Sequence, residues 1–166
     1  MTLKDIVAIA GKPGLYKILK LTRNGMIVEA LEGKPIKFAV NANNRISVLK
    51  EISIYTHTQD ESVPLGDVFK KIKEDKPEGK IEIDIKDQTA LLKFLETIVP
   101  EYDRDKVYAS DVKKLVNWYN TLITKLPEVL IEEQEDIANP ETSKKEEKPT
   151  EPKHESDTED SETPKS

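Results

Sequence analysis

Three carboxylates lie close together in the second half of the chain, at Glu101, Asp103 and Asp105. Hard cations such as Mg²⁺ and Ca²⁺ take oxygen ligands of this kind, so the loop suggests a metal-dependent hydrolase. A calcium-binding loop also needs a central glycine and a bidentate glutamate at its end, and this segment has neither. Arg104 and Lys106 offer the carboxylates charge partners instead. We therefore predict no metal ligands, and keep the hydrolase as an alternative.

Nucleophilic catalysis has few candidate residues here. The 166 residues include no Cys and two histidines, His57 and His154. A Ser or Thr nucleophile needs a positioned base, but His57 heads a polar loop and the chain has no Gly-x-Ser-x-Gly elbow. Gly11 and Gly14 are expected between a helix and a strand, the reverse of the order in a phosphate-binding loop. The sequence predicts a protein that is not an enzyme and has no cofactor.

The charges are unevenly distributed along the chain, whose formal net charge is −6. Residues 1–56 carry nine Lys/Arg and four Asp/Glu, for +5, whereas residues 57–136 carry twelve and nineteen, for −7. Such asymmetry is informative about partners rather than about the fold. The acidic part is one candidate to dock on the basic part. The candidate contact residues for nucleic acid or another partner are Lys17, Lys20, Arg23, Lys34, Lys37, Arg45 and Trp118.

Trp118 is the candidate that lies outside the basic region. It stands beside the apolar face of a predicted helix, and its neighbour Tyr119 falls on that face. Tryptophan is enriched at protein interfaces, which makes Trp118 a candidate partner contact. Packing in the core or between the two parts of the chain is the favoured alternative.

The first residues are predicted to form a helix that precedes the strands. Thr2 can cap it, and Asp5 three residues later can complete a capping box. One apolar face of this helix would consist of Leu3, Ile6, Val7 and Ala10. The turn formers from Gly11 onward would end it.

Short antiparallel strands should follow. The predicted strands cover residues 15–21, 26–32, 36–40 and part of 46–55. Asn24 and Gly25 form a strong hairpin signal because both residues accept a positive φ. Alternation places Ile36, Phe38 and Val40 on one face. This spacing predicts a small bent sheet or barrel, for which a Src-homology-3-like (SH3-like) sheet is an extrapolation from strand spacing.

The apolar period then changes to that of helices. Helices are expected at 65–72, from Asp87 to Pro100, and at 110–126. Asp87 and Ser110 are the predicted N-caps of the last two. The alternation of residues 81–85 predicts an edge strand between the first two helices.

The chain is predicted to divide into three segments. These are a β-rich domain with its N-terminal helix (1–60), a mainly helical domain (61–130) and a disordered acidic tail (131–166). Residues 139–166 contain no aliphatic or aromatic side chain, so burial cannot offset their conformational entropy. No apolar run approaches the length of a membrane span, and no targeting segment is visible. We expect a cytoplasmic protein that does not bind membranes.

Two stretches resemble a known family. They are Leu3–Lys17 (LKDIVAIAGKPGLYK) and Pro100–Asn120 (PEYDRDKVYASDVKKLVNWYN). Both resemble a bacterial family known only as a domain of unknown function, and the resemblance covers residues 1–126. It implies a domain layout and a bacterial cytosolic setting. That family has no established activity, so the resemblance assigns no site residues.

The sequence predicts an α+β protein in which a small antiparallel, SH3-like sheet or barrel precedes a helical domain and a disordered tail. The predicted function is that of a non-enzymatic cytosolic binding or adaptor module with a protein partner. RNA or DNA binding through the basic N-terminal sheet is the alternative. The oligomeric state stays open.

Overall fold

The computed structural model describes residues 1–77 and 79–132. In these residues the strands are β1 (Ile6–Ile9), β2 (Tyr16–Thr22), β3 (Gly25–Ala30), β4 (Lys37–Asn41), β5 (Ile46–Val48), β6 (Ser53–Tyr55) and β7 (Ser62–Pro64). The helices are α1 (Leu65–Asp75), α2 (Gln88–Ile98), α3 (Ala109–Lys125) and α4 (Val129–Glu132). Short 3-10 helices cover Leu3–Asp5 and Leu49–Glu51. The predicted α+β class is confirmed.

The larger sheet has the strand order β4-β3-β2-β1-β5, and its neighbouring strands are antiparallel. Val7 in the interior strand β1 is paired with Tyr16 on one side and Val48 on the other. Strands β6 and β7 form a separate hairpin. The antiparallel sheet is therefore as predicted, and its SH3-like character remains a prediction.

The predicted N-terminal helix is wrong beyond Asp5, because residues 6–9 form strand β1. Its cap is correct: the Thr2 hydroxyl accepts a bond from the Lys4 amide (3.3 Å), and Asp5 Oδ2 accepts one from the Thr2 amide (3.0 Å). Strand β1 is buried on both sheet faces, with Ile6 in one hydrophobic cluster and Val7 in the other. A strand buried on both faces is a continuous apolar run, which periodicity does not separate from a short helix.

The predicted hairpin between β2 and β3 is confirmed, but Gly25 has a different role in it. Thr22 is paired with Gly25, so the turn consists of Arg23 and Asn24. Neither Asn24 nor Gly25 is among the described residues with a positive φ. A Cβ on Gly25 would lie 1.9 Å from the Val40 carbonyl oxygen. Glycine is therefore required by the close approach of β4.

The predicted strand within residues 46–55 is divided between two sheets. A 3-10 helix separates β5 from β6, and β6 is paired with β7. Ile36 also differs from its prediction as an inward residue. It precedes β4 and is 60% exposed, whereas Phe38 is half-buried and Val40 is buried.

The predicted edge strand at residues 81–85 is an extended segment that pairs with no strand. The Ile81 amide donates to Asn120 Oδ1 (2.7 Å), and Asn120 Nδ2 donates to the Ile81 carbonyl (3.0 Å). A side chain of α3 thus replaces the missing partner strand. Burial follows the alternation only at the start of the segment, since Ile81 is buried and Ile83 half-buried, whereas Ile85 is exposed.

Of the two caps predicted for the last two helices, one is correct. Asp87 Oδ1 accepts bonds from the amides of Thr89 (3.0 Å) and Ala90 (3.1 Å). Ser110 is not a cap, because α3 begins one residue earlier with Tyr108 in the N-cap position. Asp111 Oδ2 accepts from the Tyr108 amide (3.0 Å), which fixes this start.

A single hydrophobic cluster connects the sheet with the helices. Leu3, Ile6 and Leu49 from the β-rich part belong to the same buried cluster as Phe69 and Tyr119 from the helices. The two predicted domains are therefore packed on a common core. This packing fixes the sheet against α3, where the candidate site lies.

The predicted tail, residues 131–166, lies outside the described residues except at its start. Ile131 and Glu132 belong to α4. In the part of the chain that the structure describes, no helix has the length and apolar character needed to cross a bilayer.

Candidate binding cleft

A cleft of about 830 Å³ lies between the sheet and α3. One wall is formed by the end of β1, the β1–β2 connection, Glu32, and the segment around β5. The opposite wall is formed by α3 and Lys80. The charged and aromatic residues that line it are Lys12, Glu32, Arg45, Lys80, Lys114, Trp118 and Lys125.

Backbone and side-chain hydrogen bonds shape the sheet wall. The Ala10 amide donates to the Arg45 carbonyl (2.9 Å), which holds the β1–β2 connection beside the start of β5. The Tyr16 hydroxyl donates to the Pro13 carbonyl (2.9 Å) and fixes the far end of the same connection. Lys12 projects from this connection, with its Nζ 4.8 Å from the Phe38 ring centroid.

The helix wall is one face of α3. Its cleft-lining residues recur every three or four positions, singly or as adjacent pairs, and are Lys114, Asn117, Trp118, Asn120, Thr121, Thr124 and Lys125. Residues with this spacing lie on one side of a helix. The neighbouring side of α3 is the buried one, with Leu115, Tyr119 and Leu122 in the core. Helix α3 therefore serves the core and the cleft with two adjacent faces.

Glu32 is the acidic residue of the cleft, and both walls contact it. Its carboxylate accepts a hydrogen bond from the Thr121 hydroxyl of α3. Its other carboxylate oxygen would be 3.1 Å from a Cβ on Gly14, which has a φ of +83°. Gly14 thus gives the carboxylate room between the β1–β2 connection and α3.

Lys80 reaches the cleft because of a contact made by its neighbour. The paired hydrogen bonds between Ile81 and Asn120 hold this segment against α3. Lys80 precedes Ile81 and lines the cleft together with Asn120. One amide side chain therefore brings a lysine from a distant part of the sequence into the site.

The cleft is strongly cationic. Its described lining includes five Lys or Arg residues and one acidic residue, Glu32. Within residues 1–77 and 79–132, Arg45, Lys80, Lys114 and Lys125 form no ion pair with a described carboxylate. Clefts lined by charges of one sign concentrate the electrostatic potential and attract ligands of the opposite sign. This cleft is suited to an anion.

The residues predicted from sequence are divided by the structure. Arg45 and Trp118 line the cleft, whereas the other predicted residues lie outside it. Those others are Lys17, Lys20, Arg23, Lys34 and Lys37. Lys37 forms an ion pair with Glu29 at 3.6 Å, across neighbouring strands β4 and β3.

Four cations of the cleft were missed by the sequence reasoning. They are Lys12, Lys80, Lys114 and Lys125. The last three belong to the segment whose net charge of −7 suggested an acidic surface. A signal was present in α3, since Lys114, Trp118 and Lys125 share the spacing of one helical face. The net charge of a whole segment does not reveal this face, because it sums the charges on every side of the helix.

In the acidic loop at residues 101–105, Asp103 makes hydrogen bonds that hold the loop in place. Asp103 is buried, and its Oδ1 accepts from the Asp105 amide (2.9 Å) and lies 3.6 Å from His57 Nε2. The Asp103 amide donates to the Tyr55 carbonyl (2.8 Å), which attaches the loop to β6. Among the described residues no group of three His, Cys, Asp or Glu side chains is placed to hold a metal ion. The carboxylates of Glu101, Asp103 and Asp105 are therefore not gathered into such a group.

Comparison with known proteins identifies a family whose function is unknown. Residues 3–49 match a domain of unknown function (DUF5606), and residues 52–122 match another (DUF6852). A solution NMR structure of a structural genomics target from Bacteroides vulgatus is 35% identical, covering 75% of this chain and 87% of that chain with a TM-score of 0.60. No curated protein matches the chain. The chain belongs to an uncharacterised family that combines these two domains of unknown function, which confirms the predicted membership of a domain-of-unknown-function family.

Proposed function

We propose that the protein is a non-enzymatic binding module and that its contact surface is the cleft between the sheet and α3. The observation that carries the proposal is the concentration of five cations around one carboxylate in a cleft of about 830 Å³. Its partner is anionic. Phosphate groups and acidic protein segments both have this chemistry.

The proposal that the module is not an enzyme is supported by the chemistry of the cleft lining. The described lining residues include Ser47, Thr121 and Thr124 as hydroxyl groups, but no histidine or cysteine. Thr121 and Thr124 each donate to the backbone carbonyl four residues earlier, as helical threonines commonly do. The Thr124 hydroxyl contacts no general base among the described residues, and Thr121, whose hydroxyl contacts the Glu32 carboxylate, is buried.

The proposed setting is the cytoplasm of a bacterium. The relative from Bacteroides vulgatus supports the bacterial origin. The proposed scaffold is an SH3-like sheet, supported by the order β4-β3-β2-β1-β5.

The test compares two triple variants that change the net charge equally. The cleft variant carries Lys80→Glu, Lys114→Glu and Lys125→Glu. The matched control carries Lys20→Glu, Arg23→Glu and Lys34→Glu, which are exposed residues outside the cleft. Each protein is titrated with a short, fluorescently labelled heparin oligosaccharide at several salt concentrations.

We expect the cleft variant to lose affinity about tenfold or more and to show a weaker salt dependence, because fewer counterions are released on binding. The control variant should stay within about twofold of the natural sequence. Equal losses in both variants would contradict the cleft as the contact surface. A larger loss in the control would instead support the basic sheet and nucleic-acid binding through it.

A further inference from the structure

Trp118 gives the cleft a second kind of contact surface. It is the only tryptophan in the chain, it is half-buried, and it lies on α3 between Lys114 and Lys125. Indole rings stack on nucleobases because both present flat π-faces. A tryptophan flanked by lysines on one helix face therefore combines a stacking surface with phosphate-binding charges.

The remaining cations surround this tryptophan from both walls. Lys114 and Lys125 share its helix, Lys80 lies beside α3, and Arg45 lies on the sheet wall. Arg45 is the cation with a planar guanidinium, which binds phosphate oxygens through two parallel hydrogen bonds. The lysines act as point charges. The set fits a ligand with an aromatic ring and more than one negative oxygen.

The size of the cleft limits the ligand. A volume of about 830 Å³ lies within the range of about 300–1,000 Å³ that small-molecule and cofactor sites have. The formal net charge of the whole chain is −6, which repels a long polyanion as it approaches. A short ligand held inside the cleft is dominated by the nearby cations instead.

We propose that the cleft binds nucleoside phosphates, with the base stacked on Trp118 and the phosphates held by Arg45, Lys80, Lys114 and Lys125. The nucleotide is either free or part of a single strand, since both present the same base and phosphate chemistry. This inference rests on the proposed anion-binding function and adds the class of ligand to it. An acidic peptide has the charge but lacks the base.

The test uses the natural fluorescence of the full chain, which reports on Trp118 alone among tryptophans. The probes are adenosine diphosphate, a hexauridylate single strand, inorganic pyrophosphate and a hexaglutamate peptide. Excitation at the red edge of the indole absorption avoids absorption by the bases. Calorimetry gives the affinity independently of the fluorescence.

We expect adenosine diphosphate or hexauridylate to quench the fluorescence in a saturable manner, and the tighter of the two identifies the source of the nucleotide. In calorimetry, Trp118→Ala should lower the affinity for that probe by at least about fivefold. This is the lower end of the contribution expected from one stacked base. Pyrophosphate should bind more weakly than adenosine diphosphate. Tyr55→Ala removes an exposed aromatic side chain outside the cleft; it is the matched control and should stay within about twofold.

Three results would overturn the inference. If pyrophosphate binds as tightly as adenosine diphosphate and Trp118→Ala has no effect, the cleft binds anions without a base, and the proposed function survives. If hexaglutamate binds most tightly, the ligand is an acidic protein segment, and the proposed function again survives. If no probe binds and heparin also fails, both proposals fall. Thermal melting of each variant confirms that it folds.

Discussion

Thr121 donates a hydrogen bond to the Glu32 carboxylate and thereby joins α3 to the connection that follows β3, 89 residues earlier in the chain. The Thr121 hydroxyl also lies 2.9 Å from the Asn117 carbonyl, which it reaches within its own helix. One hydroxyl proton serves one acceptor at a time, and a carboxylate is the stronger acceptor. This contact connects the two walls of the cleft.

Thr121→Val should destabilise the protein because it removes the hydrogen bond to Glu32 and keeps the side-chain shape. Hydrogen bonds to charged groups contribute about 1.5–3 kcal/mol, and the exposure of Glu32 reduces this to about 1 kcal/mol. Urea unfolding measures the change. Thr124→Val is the matched control, since the Thr124 hydroxyl makes only the helical bond to the Asn120 carbonyl (2.7 Å). Equal effects of the two variants would mean that the hydrogen bond to Glu32 contributes nothing to the free energy of unfolding.

Asn120→Ala should be more costly, because it leaves two backbone groups of Ile81 without their partners. The two bonds measure 2.7 and 3.0 Å, and Ile81 is buried. Unsatisfied buried groups cost about 1–3 kcal/mol, so we expect a loss of about 2 kcal/mol in unfolding free energy. Faster amide exchange at Ile81 should accompany it. The exposed Asn117→Ala serves as the control, and unchanged exchange at Ile81 would argue against the pairing.

Tyr119→Phe should stabilise the protein. Tyr119 is fully buried beside Phe69, and its hydroxyl has no hydrogen-bond partner among the described residues. Removing an unsatisfied buried hydroxyl without changing the ring should raise the unfolding free energy by about 1 kcal/mol. A rise in melting temperature at neutral pH checks this. A fall would indicate that the hydroxyl has a partner, such as a buried water.

The burial of Tyr119 also leads us to expect a loss of stability at alkaline pH. Burial raises the pKa of Tyr119 above its ordinary value of 10.0. Above that value the unfolded chain releases the phenolic proton while the folded chain retains it, so unfolding becomes more favourable as the pH rises. The slope from this group approaches about 1.4 kcal/mol per pH unit. Unfolding free energies measured across this range should fall more steeply in the natural sequence than in Tyr119→Phe.

Gly25→Ala should disturb the edge of the sheet. The added Cβ would lie 1.9 Å from the Val40 carbonyl oxygen, so β3 and β4 must move apart. Overpacking costs about 1–3 kcal/mol, which chemical denaturation would detect. Gly79→Ala is the control, because a Cβ there meets no atom within 4 Å. If both substitutions are neutral, β4 does not approach β3 as closely as described.

The acidic loop offers a test of its structural role. Asp103→Ala removes the acceptor for the Asp105 amide, so we expect a loss of about 1 kcal/mol. Asp105→Ala should have a smaller effect, because Asp105 is exposed. Mg²⁺ and Ca²⁺ should leave the melting temperature of the natural sequence unchanged. A rise with either ion would restore the metal-site hypothesis, since a ligand stabilises the state that binds it.

Local patterns predicted much of the secondary structure. The caps at Thr2 and Asp87, the hairpin before Gly25 and the apolar face of α3 follow from interactions within a few residues. The errors arose where contacts between residues distant in the sequence determine the secondary structure. Residues 6–9 are a strand because two other strands flank them, and residues 81–85 lack a strand partner because Asn120 supplies the hydrogen bonds.

The candidate site follows the same division. The sequence by itself determined which residues are cationic, that Trp118 is the only tryptophan, and that its helix has one apolar side. Only the tertiary structure decided that Arg45 faces Lys80 and Trp118 across one cleft, because packing on a shared core brings both halves of the chain together. Charge summed along a segment averages over all directions, whereas folding selects the face that a ligand meets.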